Sequence, residues 1–175
     1  MKIVVIGHGM VGHKLLECLA EKTSHGLDIT VLCEEPRPAY DRVHLSEFFS
    51  GKTAQDLSLV EPGFFERENV RLELNAKAVS IDRAAHTVTV STGEVLAYDK
   101  LVLATGSYPF VPPVAGNERR DCFVYRTIED LEAMKECGAR SKTGTVVGGD
   151  CWGLSAPRRC ATWACRRTWS SSRRA

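Results

Sequence analysis

Three glycines and one acid carry the chemistry that is easiest to read in this chain. Gly7, Gly9 and Gly12 stand in the order G-x-G-x-x-G, and Glu34 follows Gly12 by 22 residues. Each glycine has its own physical task. A missing Cβ at Gly7 permits a tight turn, at Gly9 it lets a pyrophosphate approach the backbone, and at Gly12 it lets a helix lie close on a strand. The first amides of that helix and its dipole favour a phosphate. A carboxylate at Glu34 accepts hydrogen bonds from an adenosine ribose and disfavours a 2′-phosphate, which suits FAD or NAD better than NADP. A glycine turn that holds no ligand is the plain alternative.

The elements around these residues follow the same spacing. Lys2 to Ile6 is a continuous apolar run, as in a strand buried on both faces of a parallel sheet. The pattern then predicts a helix from about Met10 to Lys22, with Val11, Leu15, Leu16 and Leu19 toward the sheet. Asp28 to Cys33 reads as a second strand ending at Glu34. His8 and His13 have no acidic partner visible in the sequence and read as structural or solvated rather than catalytic. The proline-interrupted stretch from Glu35 to Arg42 reads as a loop leaving the strand ends. Arg42 is placed near the cofactor's pyrophosphate, where a bidentate fork suits phosphate oxygens; a surface arginine paired with Asp41 or Glu47 is the alternative.

Glu61 to Arg67 predicts a short helix. Beyond it, Val70–Leu74, Ala78–Ile81, His86–Val90 and Val95–Tyr98 alternate with period two, and the turns at 82–85 and 91–94 predict a small antiparallel meander. A meander inside a doubly wound domain is unlike a simple dehydrogenase and favours FAD over NAD. Lys100 to Gly106 reads as a buried strand whose small end, Ala104, Thr105 and Gly106, lets backbone amides approach a cofactor. The expected fold class is α/β: a Rossmann-like FAD-binding domain with a parallel sheet and a small antiparallel meander, incomplete at the C-terminus.

Composition bounds the alternatives. The 175 residues amount to one domain's worth of chain, with a formal net charge of +1 that describes neither half. Residues 1–149 are mildly acidic, which argues against nucleic-acid binding. There is no secretory pattern and no apolar run long enough to span a membrane, so a cytoplasmic location is expected. Cys18, Cys33, Cys122 and Cys137 are isolated, with no C-x-x-C pair, so they read as buried, reduced thiols of a reducing cytosol and no metal role is assigned. No residue is assigned a catalytic role.

The quoted motifs resemble the two-dinucleotide-binding flavoprotein oxidoreductases, which include the ferredoxin, rubredoxin and pyridine nucleotide–disulfide reductases. Longer stretches narrow the resemblance. Tyr40-Asp41-Arg42-Val43-His44-Leu45-Ser46, Leu57-Ser58-Leu59-Val60, Ala104 to Pro109 with Pro112-Pro113, and Asp121 to Asp130 are similar to the N-terminal part of the large subunits of bacterial NAD(P)H-dependent assimilatory nitrite reductases. The similarity covers residues 1–149. It implies FAD held by Gly7, Gly9, Gly12, Glu34, Arg42, the backbone near Val79, and Ala104, Thr105 and Gly106, with Arg126 as a further flavin contact. It also implies NAD(P)H as co-substrate, with hydride passing to the flavin. Electrons would pass on through iron–sulfur centres to a siroheme where nitrite becomes ammonia, in regions outside this chain, and a small subunit is the implied partner. A smaller ferredoxin- or rubredoxin-type reductase fragment, or a non-catalytic truncated product, remains open.

The resemblance further implies a division into an FAD-binding segment over residues 1–141 and the start of an NAD(P)H domain over 142–149. A second glycine pattern would fall on Gly148, position 150 and Gly153, but position 150 is Asp150, whose carboxylate conflicts with a phosphate. Residues 150–175 hold all three tryptophans and six arginines, with Asp150 as the sole acid and no lysine. A one-base shift of suitably chosen codons turns this stretch back into a Rossmann-like helix start and strand. The tail is therefore expected to be out of frame and poorly ordered, with a genuine Trp/Arg binding tail as the rival reading. The isolated chain is expected to retain FAD weakly or not at all and to lack diaphorase activity, because the family completes its flavin pocket with a later segment.

Overall fold

A strand of Ile and Val opened by a single polar residue, Lys2–Ile6 (β1), forms the centre of a parallel sheet in the computed structural model, which describes residues 1–22, 26–67, 70–147 and 166–170. The described chain falls into two compact units, Met1–Asp41 with Ser58–Ser107, and Arg42–Leu57 with Tyr108–Ala175.

In the first unit β1 leads through the glycine turn into Met10–Lys22 (α1) and returns as Asp28–Leu32 (β2). A short helix, Phe64–Arg67 (α2), precedes Val70–Glu73 (β3). After the meander Ala78–Asp82 (β4), Thr87–Val90 (β5) and Val95–Ala97 (β6), the chain re-enters the parallel sheet as Lys100–Leu103 (β7). The sheet order is β3-β2-β1-β7, all parallel, and the meander is the separate antiparallel sheet β4-β5-β6. Two apolar layers cover the parallel sheet. On one face Ile3, Val5, Ile29, Val31 and Val70 pack with Leu16 and Phe64; on the other Val4, Ile6 and Leu32 pack with Val88 and Val90 of the meander. The alternation of β1 side chains between the two layers follows from the period of two in a strand.

Three sequence expectations are corrected here. The run beginning at Val70 belongs to the parallel sheet and not to the meander, because α2 carries the chain back across the sheet and Val70 and Leu72 enter the same apolar layer as Val31. On α1, Val11 is 75% exposed while His13 is buried, so the helix turns a histidine and Leu16 inward. β7 is only half-buried, with Leu103 exposed, because it pairs with β1 alone and forms the edge of its sheet.

In the second unit the 3-10 turn Leu45–Ser50 buries Leu45, Phe48 and Phe49. The helix Ile128–Arg140 (α3) packs on it through Ile128 and Leu131. α3 starts with a capping box: the Thr127 hydroxyl accepts from the Asp130 amide, and the Asp130 carboxylate accepts from the Thr127 amide. Two of the orphan amides of the helix start are thereby satisfied. Thr143–Val147 (β8) pairs in parallel with Arg166–Ser170 (β9). The pairing runs in register from Thr143 with Arg166 to Val147 with Ser170. The second glycine pattern with Asp150, and the remainder of the tail, lie outside the described residues.

No helix among the described residues is long and apolar enough to cross a membrane.

Candidate functional site

The glycine turn occupies the carboxyl end of the sheet's central strand. Gly7 donates to the Leu32 carbonyl of β2 over 2.9 Å, and Ala104 donates to the Ile6 carbonyl over 2.8 Å, so the turn emerges between the ends of β2 and β7. Ligands of open α/β sheets bind at such a point, outside the carboxyl ends of the strands. Gly7 has φ +106°, and a Cβ there would collide with the Ala104 carbonyl, its carbon only 2.6 Å away. At Gly12 a Cβ would collide with the Gly7 carbonyl. These two glycines are required by backbone lying on backbone. Around Gly9 there is nothing within 4 Å of an added Cβ. The turn is thus closed at Gly7 and Gly12 and open at Gly9, the position where a phosphate must come close.

α1 begins at this turn. Its first intrahelical bond runs from the His13 amide to the Gly9 carbonyl over 2.9 Å, and its first turn carries no acid. Its leading amides and dipole therefore favour an anion at this end, with no carboxylate in the first turn competing for them.

Glu34 stands one residue past Cys33 at the end of β2 and is exposed. The β2–β3 pairing continues beyond the strands through Cys33 to the Glu73 carbonyl, Ala76 to the Cys33 carbonyl and Asn75 to the Glu35 carbonyl. This continuation carries Lys77 to Glu34, and their side chains form an ion pair of 2.7 Å. Lys77 was not singled out from the sequence. The signal that would have found it, the adjacency of the β3–β4 turn to the end of β2, depends on placing β3 in the parallel sheet.

Val79 sits at a register shift between Ala78 and Ser80 in the β4–β5 ladder. A bulged residue stands outside the regular ladder, which is how a backbone group becomes available beside a site. Thr105 and Gly106 follow β7 in exposed positions, with Gly106 at φ +67°.

Arg42 and Arg126 belong to the second unit. There the Arg42 guanidinium donates to the Arg126 carbonyl over 3.1 Å, and the Arg126 amide donates to Asp130 over 3.1 Å. The first unit accordingly gathers Gly7, Gly9, Gly12, Glu34 and Ala104 to Gly106 at the strand ends, with Val79 on the adjoining meander. Arg42 and Arg126 are joined to each other at the start of α3.

His8, between the first two glycines, is buried, and its Nδ1 accepts from the Ala39 amide over 3.0 Å. Burial, together with the neighbouring His13, lowers its pKa to about 4, so it is neutral at pH 7. Among the described residues no group of His, Cys, Asp and Glu is arranged to hold a metal ion; Cys18, Cys33, Cys122 and Cys137 form no disulfide, and of the four expected to be buried only Cys33 is, Cys122 being exposed and Cys18 and Cys137 half-buried.

The residues present fit a dinucleotide: open backbone at Gly9, an anion-favouring helix start and an acid at the end of the second strand. Residues 1–167 match the family model described as pyridine nucleotide-disulphide oxidoreductase, further along the chain than Gly149, where the resemblance read from sequence ended. The chain is 51% identical over 157 residues to the large subunit of the NADH nitrite reductase of Escherichia coli (strain K12), covering 89% of this chain and 18% of that protein. It is 49% identical over 155 residues to the NAD(P)H nitrite reductase large subunit of Klebsiella oxytoca, covering 88% of this chain and 16% of that one. The chain thus spans less than a fifth of the length of these relatives. The fold is also that of the NADH:rubredoxin oxidoreductase of Clostridium acetobutylicum, with a TM-score of 0.87 at 23% identity over 97% of this chain and 44% of that one.

Proposed function

The chain belongs to the pyridine nucleotide-disulphide oxidoreductase family, and from that premise we propose that it is the FAD-binding portion of an NAD(P)H-dependent nitrite reductase. The carrying observation is the glycine turn, closed by backbone at Gly7 and Gly12 and open at Gly9, at the end of the central strand. In this reading Gly9 and the leading amides of α1 hold the pyrophosphate, Glu34 accepts from the adenosine ribose, and the Val79 backbone meets the adenine. Ala104, Thr105 and Gly106 bring backbone close to the cofactor. Arg42 and Arg126, which belong to the second unit, enter this reading as cofactor contacts through the family resemblance alone. When bound, the flavin supplies an acceptor for hydride from NAD(P)H and passes electrons onward.

The 51% identity to the E. coli large subunit, against 23% to the rubredoxin reductase, supports nitrite reduction over a rubredoxin-type activity. Residues 1–141 are assigned to the FAD-binding segment and 142–149 to the start of the NAD(P)H domain. Iron–sulfur and siroheme chemistry, and pairing with a small subunit, belong to regions outside this chain. A reducing, cytoplasmic setting is part of the same proposal.

The test is equilibrium dialysis of the purified chain against ADP and FAD, each titrated to millimolar concentration. Saturable ADP binding that competes with FAD supports the reading. Absence of saturable ADP binding overturns it.

A further inference from the structure

The two buried histidines of the first unit belong to one hydrogen-bond circuit. The Ala39 amide donates to His8 Nδ1 at 3.0 Å, and His13 Nε2 lies 3.0 Å from the Leu59 carbonyl. Ala39 and Leu59 are themselves joined, the Leu59 amide donating to the Ala39 carbonyl at 3.0 Å, beside a bridge between Tyr40 and Ser58. The glycine turn, α1 and both chain segments that leave the sheet are thereby tied into one loop of contacts.

This circuit dictates the protons. An amide can only donate, so His8 Nδ1 is bare and its neutral ring carries hydrogen on Nε2. A carbonyl can only accept, so His13 carries hydrogen on Nε2. The two remaining ring nitrogens are His8 Nε2, a donor, and His13 Nδ1. Both are buried with no hydrogen-bond partner among the described residues, and their rings stand edge to face with centroids 5.5 Å apart. Phe65 lies 5.5 Å from His8, and Phe64 lies 5.1 Å from His13.

The location of His8 gives the circuit its consequence. It lies between Gly7 and Gly9, the two residues of the turn with the least conformational preference of their own. A glycine-flanked turn keeps its shape only if something outside it does the holding, and His8 carries the one side chain between them.

We infer that His8 and His13 are positioning residues for a nucleotide diphosphate: with His8 accepting through a bare Nδ1 and His13 donating through Nε2, they fasten the Ala39 and Leu59 segments to the turn and hold the Gly7–Gly9 backbone in its phosphate-accepting shape. The inference rests on the dinucleotide reading of the same turn. An imidazolium at His8 has no lone pair on Nδ1, so acid opens the circuit at the Ala39 amide. The groups facing His8 are His13 from α1, with Glu17 3.6 Å from the His13 Nε2, the Phe65 ring from α2, and the backbone amide of Ala39.

The test uses the full chain, His8→Asn, whose side-chain oxygen can accept from Ala39 without titrating, and His8→Leu, which cannot accept. Nitrogen-15 spectra of histidine-labelled wild type should show a bare Nδ1 on His8 and a protonated Nε2 on both rings. His8→Leu should speed exchange of the Ala39 amide and weaken ADP binding about tenfold, the scale of one lost hydrogen bond, while His8→Asn restores both. As the pH falls from 5 through about 4, where the folded His8 takes up its proton, the wild type should lose ADP affinity more steeply than His8→Asn. A protonated Nδ1 on His8, or ADP affinity and Ala39 protection unchanged in His8→Leu, overturns the inference alone. Failure of the wild type to bind ADP while its Ala39 amide stays protected overturns the dinucleotide reading and the ligand assigned here.

Discussion

Lys77 Nζ lies 2.7 Å from Glu34 Oε1, so the acid at the end of β2 shares its charge with an ammonium delivered by the turn after β3. The two side chains are 54% and 47% exposed, a setting in which an ion pair contributes less than about 1 kcal/mol to folding. Lys77→Gln is therefore expected to leave the urea midpoint nearly unchanged. Glu34→Gln should weaken ADP binding about tenfold by calorimetric titration, since a ribose hydroxyl binds a carboxylate more strongly than an amide. Equal ADP affinity in wild type and Glu34→Gln would remove Glu34 from the site.

The glycines of the turn should separate folding from binding. Gly7→Ala forces a side chain into φ +106° against the Ala104 carbonyl, and should cost about 3 kcal/mol or more in urea unfolding. Gly9→Val enters open space, so its folding cost should stay below about 1 kcal/mol while ADP affinity drops at least about tenfold. A Gly9→Val protein that binds ADP normally would contradict the phosphate's proposed position.

Acid should destabilise the first unit through His8. Its pKa is about 4 in the folded chain against an ordinary 6.5, so the unfolded chain takes up the proton first as pH falls. Stability contributed by the neutral ring is fully present above pH 6.5, declines from there to about pH 4, and does not decline further below it. The full shift corresponds to about 3 kcal/mol. Urea midpoints at pH 7 and 4.5 should converge for His8→Asn relative to wild type; parallel behaviour of the two proteins would exclude His8 as the source.

Removing the Thr127 hydroxyl should loosen the start of α3. Thr127→Ala is expected to cost about 1 kcal/mol and to expose the Asp130 amide to faster hydrogen exchange, the Asp130 amide being the donor that Thr127 caps. Unchanged exchange at Asp130 would show that the cap contributes nothing to the second unit.

Much of the first unit was legible because its signals are local. The apolar run of β1, the glycine spacing and the period of α1 lie within the first 22 residues, and they determine the element types there. β3 was misassigned to the meander because Val70 to Leu74 alternates like an antiparallel strand. What places it beside β2 is the short crossover through α2, which alternation alone does not encode. The roles of His8 and His13 were illegible for a different reason. Their partners, Ala39 and Leu59, lie 31 and 46 residues away in sequence and are backbone groups of loops, so no residue type announces them. Val11 was expected inside because it is apolar at a helical spacing; burial went to His13, whose ring gains a carbonyl partner there.

The strand order β3-β2-β1-β7 also sets a timetable. β1 finds β2 within the first 32 residues, but its other neighbour is residue 100 and beyond, so one side of the central strand waits through the synthesis of everything between Leu32 and Lys100. At bacterial and eukaryotic elongation speeds this interval is on the order of 3–14 s, long compared with hairpin or helix formation. Throughout it the nascent chain presents Ile3 to Ile6 as an unpaired apolar edge. The window for wrong pairing, or for capture by a chaperone at the ribosome exit, therefore closes only when β7 emerges.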